Sequence, residues 1–287
     1  MKFRIYFALT LAMGFMACTD YQSEWEDDNQ VFAQGGTESA KTSTGTKTNV
    51  AASTVQPSGT YDCRMFKCAS TDFLSKTMLE GGYGEILDAR DNQVYKTIMI
   101  KKQVWMAQNL NYAPADGNAK DGVASWCYGD DNNNCAKYGR LYTWSAAMDM
   151  DAAANTGKVV VDEKAQGICP KGWRVPTYAD WVELSDAVDA DNDDEDVGNS
   201  LKSAVSWSGT FNDTFGFSAI AAGERSAAGA YGNEKSLFAS WINEQGDNGV
   251  ASVWTIAAEE AGVAGLSFNN KAAQKSEGHS LRCILAK

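Results

Sequence analysis

Cys169-Pro170-Lys171-Gly172-Trp173-Arg174-Val175-Pro176-Thr177, followed by Trp181, sets a short extended segment directly against the start of a helix. Pro176 marks the boundary, because proline disfavours helical geometry in the residue before it and fits the entrance of a helix after it. Thr177 is a good N-cap, and Asp180 stands at the third helical position, as in a capping box. Trp181, Leu184 and Val188 then fall on one apolar face, so the spacing predicts an amphipathic helix. Upstream, Leu141, Trp144, Ala147 and Met148 recur at helical spacing, which predicts a core helix over Tyr138 to Met150. Before that, Val94, Tyr95, Ile98, Ile100 and Val104 alternate in part, and Gln93 to Trp105 reads as a hairpin pivoting on Lys101-Lys102. Downstream, Phe215 to Ile220, Ser252 to Ile256, Gly265 to Phe268 and Ser280 to Leu285 are short aromatic or apolar segments between Gly, Asn and Ser, expected as strands. Trp105, Trp144, Trp173 and Trp181 are expected in the core.

The chain begins with a charged Met1 to Arg4 and an apolar run from Ile5 to Ala17, too short to span a bilayer of about 30 Å. This reads as a signal peptide over residues 1–17. Phe15-Met16-Ala17-Cys18 resembles the lipobox of bacterial lipoproteins, with Phe15 where Leu is usual and Met16 where a small residue is usual. That resemblance implies an acylated, palmitate-bearing Cys18, and Thr19 rather than Asp after it implies outer-membrane or cell-surface sorting. An ordinary secretory signal is the alternative. Gly35 to Ser58 holds almost no large apolar side chain, so residues 18–59 are expected to be a disordered tether and residues 60–287 a folded domain.

Seven cysteines less Cys18 leave an even number in a chain read as exported, which favours disulfides. Of the 15 pairings that six cysteines allow, spacing suggests Cys63 with Cys68, Cys127 with Cys135, and Cys169 with Cys283. No pair has the CxxC spacing of a zinc site. A net charge of −12 gives no basic patch for nucleic acid. It suits solubility and uncharged partners such as glycans.

Five spaced blocks carry a family resemblance. They are Val104-Trp105-Met106-Ala107-Gln108-Asn109-Leu110-Asn111-Tyr112; Trp126-Cys127-Tyr128 with Cys135 to Trp144; Cys169 to Thr177 with Trp181; Phe215-Gly216-Phe217-Ser218-Ala219 with Gly223 and Arg225; and Ser280-Leu281-Arg282-Cys283-Ile284. In this order they resemble the Fibrobacter succinogenes major paralogous (FISUMP) domain over about Gly84 to Lys287. Gln108 stands where Glu is usual, and Ser252-Val253-Trp254-Thr255 is a variant of a Trp-Trp-Ser-Ser-type strand. The Gly172 to Trp181 block is also similar to the Arg-Leu-Pro-Thr-x-x-Glu-Trp block of formylglycine-generating enzymes, whose fold is C-type-lectin-like. That similarity implies an α+β fold with two helices packed on twisted antiparallel sheets and the chain ends brought together, which a Cys169–Cys283 bridge suits. Those enzymes act through a pair of cysteines; with all six bridged none is spare, and their catalysis is not carried over.

Trp207, Tyr231, Trp241 and Trp254 are the candidate ligand-binding residues, because aromatic rings offer apolar faces to pyranose CH groups and they lie in the loop-rich region. Asp130 and Asp131, with Asn132 to Asn134, offer the oxygen donors Ca²⁺ takes and are the candidate metal ligands; no other cofactor is implied. Asp189 to Asp193 begins like an EF-hand loop but has Asp194 for the required Gly and Ser200 for the final Glu, so the acidic run Asp186 to Asp196 reads as a solvated loop. His279, the single histidine, reads as structural, and no nucleophile, zincin or phosphate-loop motif is present. The function expected is a non-catalytic, lectin-like surface lipoprotein recognising an extracellular ligand such as a polysaccharide. A structural or protein-interaction component of the envelope, and an envelope enzyme, are the alternatives.

Overall fold

A computed structural model describes residues 55–113, 124–191, 196–258 and 268–287. The expected signal peptide, Cys18 and the tether up to residue 54 lie outside the described residues, as do residues 192–195 of the acidic run and 265–267 of one expected strand. The chain opens with β1 (Gln56–Pro57), β2 (Lys67–Cys68) and the single-turn helix α1 (Lys76–Leu79). The antiparallel meander β3 (Gly84–Asp88), β4 (Gln93–Ile100) and β5 (Gln103–Met106) follows. The expected hairpin is there, and Lys101 takes the left-handed backbone of its turn at φ 51°. β1 pairs with β3, so the sheet reaches into the stretch read from sequence as tether.

The middle of the chain departs from the reading. The helix expected over Tyr138 to Met150 is instead the end of α2 (Asn132–Tyr138), a strand β7 (Leu141–Tyr142) that pairs with β6 (Ser125–Trp126), and a single turn α3 (Trp144–Ala147). Gly139 causes the break. It sits at φ 78°, and a Cβ there would lie 2.8 Å from Asn109 Cβ and 2.9 Å from the Asn109 carbonyl oxygen. Tyr142 then exchanges backbone hydrogen bonds with His279, an extended pairing that outweighs the helical spacing of the apolar side chains. Only one long helix forms among the described residues, α4 (Tyr178–Asp189), after β8 (Trp173–Arg174); the short α5 (Val197–Leu201) follows it. The capping box is present: Thr177 Oγ1 accepts from Asp180 N, and Asp180 accepts from Thr177 N. Arg174 donates two hydrogen bonds to the same carboxylate, which fixes the helix start to β8. Thr177→Ala is expected to lower stability by about 1 kcal/mol in urea unfolding.

The C-terminal half adds a two-stranded hairpin, β9 (Glu224–Arg225) and β10 (Tyr231–Gly232), and an antiparallel sheet of β11 (Leu237–Gln245), β12 (Val250–Ala257) and β13 (Phe268–Gln274). The last strand, β14 (Ile284–Leu285), closes the chain onto the first sheet, whose order among the described residues is β1-β3-β4-β5-β14-β8. Phe215 to Ile220 is not a strand; it is a turn with one bridge, from Ala219 to Lys202. The fold is thus mixed α+β, mostly strands, with one sheet whose order runs out and back along the chain.

Both faces of these sheets are covered. Trp105 and Met106, neighbours on β5, enter opposite cores, and so do Trp241 and Ile242 on β11. Successive strand residues point to opposite faces, so these strands carry buried apolar side chains at neighbouring positions. Three disulfides join Cys63 to Cys68, Cys127 to Cys135 and Cys169 to Cys283, the pairs that spacing suggested. The last ties the loop before β8 to β14, the strand beside it.

Three cations are buried with no solvent access, Lys202, Lys275 and Arg282. Lys275 donates to the carbonyls of Ala154 and Gly157 and to Gln245 Oε1, with Trp144 beneath it. Arg282 donates to Asn109 and to the carbonyls of Met106, Phe217 and Ser218. Near it Asp213 accepts from the amide and hydroxyl of Ser218, and burial pushes its carboxyl up to about 7. The native state therefore holds a proton on Asp213 that the unfolded chain, with an ordinary carboxylate, has released. Stability is expected to fall by on the order of 3 kcal/mol as pH rises from about 4 to 7, and to level off above. Asp213→Asn should flatten that window in urea titrations at stepped pH.

Candidate functional site

The residues predicted to form a ring platform do not form one. Trp241 is fully buried, its ring N–H donating to the Tyr142 carbonyl at 2.6 Å. Trp254 is buried and stacked parallel on Trp181, with centroids 5.6 Å apart. Trp207 is buried and donates to the Ala219 carbonyl at 2.8 Å. These three assignments are corrected to core packing, and the reason is the two-sided burial of β11 and β12 and the closed loop before β9. A sequence alone does not distinguish an outward strand position facing water from one facing a second core.

Tyr231 is the one of the four that reaches the surface. On the short hairpin β9–β10 it stands opposite Arg225, and the two share a face. The Arg225 guanidinium lies 4.0 Å above the Trp126 ring and 5.8 Å from that of Tyr231. Tyr128 packs against Tyr231 at 5.3 Å. All four side chains are half-buried, so their rings reach the surface. Asp130 does not wait for a metal: it accepts the Tyr231 hydroxyl proton at 2.6 Å. Asp131 is the N-cap of α2, accepting from Asn133 N. Among the described residues no three His, Cys, Asp or Glu side chains gather into a metal-binding group. Burial raises the Tyr231 hydroxyl above its ordinary range, with the Asp130 hydrogen bond adding to it, so the phenol is a donor at neutral pH.

The local covalent frame explains the cluster. Trp126 and Tyr128 flank Cys127, whose bridge to Cys135 pins their loop to α2. Gly223, at φ 69°, lets the hairpin lie close: a Cβ there would meet the Gly232 oxygen at 2.4 Å and Tyr128 Cε2 at 2.9 Å. In the sequence Trp126, Tyr128 and Arg225 stand only as parts of the spaced blocks. Their convergence rests on contacts across about a hundred residues, and only a surface-facing Trp-Cys-Tyr pattern beside a bridged cysteine could have pointed to it.

On the other face of β9, Glu224 lines a cleft of about 600 Å³ between the hairpin and the sheet β11–β12–β13. Glu277, Asn233, Thr255, Lys271 and His279 line it too. His279 is buried, its ring edge-on to Trp241 at 4.8 Å. Its Nε2 meets Glu277 Oε2 at 3.1 Å, and its Nδ1 stands 3.7 Å from Glu224 Oε2. The hydrogen bond to His279 is the main cause that holds the Glu277 carboxyl below its usual range.

Among the described residues no helix is long and apolar enough to cross a membrane. Neither a curated protein nor a solved structure matches the chain. The sequence model of one family, described as Fibrobacter succinogenes major domain, matches residues 98–285, from within β4 to β14. That span takes in every side chain of the ring cluster and of the Glu224–His279–Glu277 group and well over half of the chain, and the chain therefore belongs to the Fibrobacter succinogenes major domain family.

Proposed function

We propose that this chain is an exported, lipid-anchored surface protein whose disulfide-stapled domain is non-catalytic and recognises an extracellular polysaccharide. The observation that carries this reading is the Trp126–Arg225–Tyr231 stack with Tyr128 beside it, half-exposed on a short hairpin. Flat rings at the surface offer apolar faces to pyranose CH groups, the guanidinium offers donors to sugar hydroxyls, and the Tyr231 hydroxyl oxygen, its proton given to Asp130, offers an acceptor. Three disulfides within one domain fit an oxidising compartment. The acidic net charge favours an uncharged partner over an anionic one. A lectin-like relation for the fold is supported by β14 closing the chain between β5 and β8, whereas one long helix forms among the described residues where that relation implies two.

The test is retention of the purified full chain on insoluble glycans of differing backbone chemistry. Tyr231→Ala and Trp126→Ala are each expected to reduce retention by about tenfold with unfolding midpoints little changed. Trp207→Ala and Trp241→Ala are expected instead to unfold the domain. Retention on no glycan would leave the envelope-scaffold reading in its place. Mass spectrometry of the mature N-terminus tests the anchor, by the acyl mass on Cys18.

A further inference from the structure

The Glu224–His279–Glu277 group has a vacancy in its hydrogen bonding. A carboxylate only accepts, so the 3.1 Å bond to Glu277 puts the imidazole proton on Nε2. Its Nδ1 is buried and has no hydrogen-bond partner. What faces it, Glu224 Oε2 at 3.7 Å, is a second acceptor, beyond hydrogen-bond distance. Glu224 is itself held in place, its Oε1 accepting from Asn233 at 2.7 Å. Two carboxylates are thus fixed on either side of one imidazole ring, and their side chains are 31% and 25% exposed on the cleft wall while the imidazole behind them is 2% exposed. Two carboxylates converge here on the wall of a cleft large enough for a small molecule.

A protonated primary amine carries three donors, a positive charge and no acceptor, which is the complement of this wall. We propose that the cleft beside β9 binds a primary ammonium group through the carboxylates of Glu224 and Glu277, with His279 as the positioning residue that holds the pair. Lys271, exposed on β13, is the cleft's opposing charge and selects against a second ammonium close to it. The site lies across β9 from the ring cluster and does not rest on the polysaccharide reading.

His279 is the single histidine, so its imidazole signals in the ¹⁵N-labelled full chain need no disentangling. The probes are spermidine, a glucosamine trisaccharide with free amines, and its fully N-acetylated form. Both amines, or one of them, are expected to shift the His279 ring nitrogens saturably in the millimolar range or below, and the acetylated sugar to leave them unmoved. Which amine binds more tightly distinguishes a polyamine from an amino sugar as the source. Glu224→Gln and Glu277→Gln are each expected to weaken binding about tenfold, and Lys271→Gln to leave it equal or tighter. Should a Gln variant unfold, raised salt on the unaltered chain replaces it, since an ion pair at a partly exposed site weakens as salt screens it. The proposal is overturned if neither amine moves the ring signals, if the acetylated sugar moves them equally, or if both ring nitrogens carry protons at neutral pH in the free protein. Loss of glycan retention with amine binding kept, or the reverse, separates the failure of one reading from that of the other.

Discussion

Arg282→Met is expected to lower stability by about 3–5 kcal/mol, the range for removing one partner from a buried charged network. The guanidinium has no solvent access. It donates to Asn109 Oδ1 at 2.9 Å and to the carbonyls of Phe217, Met106 and Ser218 at 2.6, 3.1 and 3.1 Å. These acceptors belong to the end of β5 with the segment after it and to the turn before β9, while Arg282 itself stands just before β14, so one side chain joins three distant parts of the chain. Methionine fills much of the volume but leaves the acceptors buried and unpaired, at about 1–3 kcal/mol each before the backbone relaxes. Burial lowers the guanidinium's pKa to about 9, so it stays charged at neutral pH while carrying the cost of desolvation. The measurement is urea unfolding with the disulfides intact, in which the midpoint falls with little change in slope. Arg282→Lys should recover little, because three donors on a flexible stem cannot reproduce a planar fork that reaches acceptors on two distant segments. A midpoint equal to that of the unaltered chain would mean that the network contributes no net stability.

The second large effect is expected from the bridge between Cys169 and Cys283. It encloses 114 residues, against 8 for Cys127–Cys135 and 5 for Cys63–Cys68. By loop-closure entropy these correspond to about 4.8, 2.5 and 2 kcal/mol of destabilisation of the unfolded state. Replacing each pair by alanines should therefore rank the losses in that order, read as non-reducing thermal or urea unfolding. Cys169 and Cys283 are also fully buried, and removal of their sulfurs opens space in the core that holds Trp173, Val175 and Leu281. The ranking would fail if the short Cys127–Cys135 bridge cost more than the long one. That result would place the stability of the domain in the loop carrying Trp126 and Tyr128 rather than in chain closure.

How far the sequence carried the reading depended on the range of the interactions involved. The helix α4 was legible because its N-cap, its capping box and its apolar face all lie within a dozen residues of Pro176. The β4–β5 hairpin was legible for the same reason. Tyr138 to Met150 was misread because its apolar spacing suits a helix, while Gly139 and the backbone of His279, far along the chain, impose a turn and a bridge. Trp207, Trp241 and Trp254 were misread because a ring in a loop-rich stretch looks the same whether a second core or water lies beyond it. Asp130 was rightly marked as an oxygen donor, yet its partner is the Tyr231 hydroxyl.

By itself the sequence determined the local elements, the family blocks and, through spacing, the three cysteine pairs, because each depends on neighbours in the chain or on a count of positions. Only the tertiary structure decided which aromatic rings meet water. It also decided that Trp126, Tyr128, Arg225 and Tyr231 share a surface, and that Glu224 and Glu277 bracket His279. The physical reason is that exposure and convergence are properties of what packs against a residue, and those partners come from segments that no local pattern names.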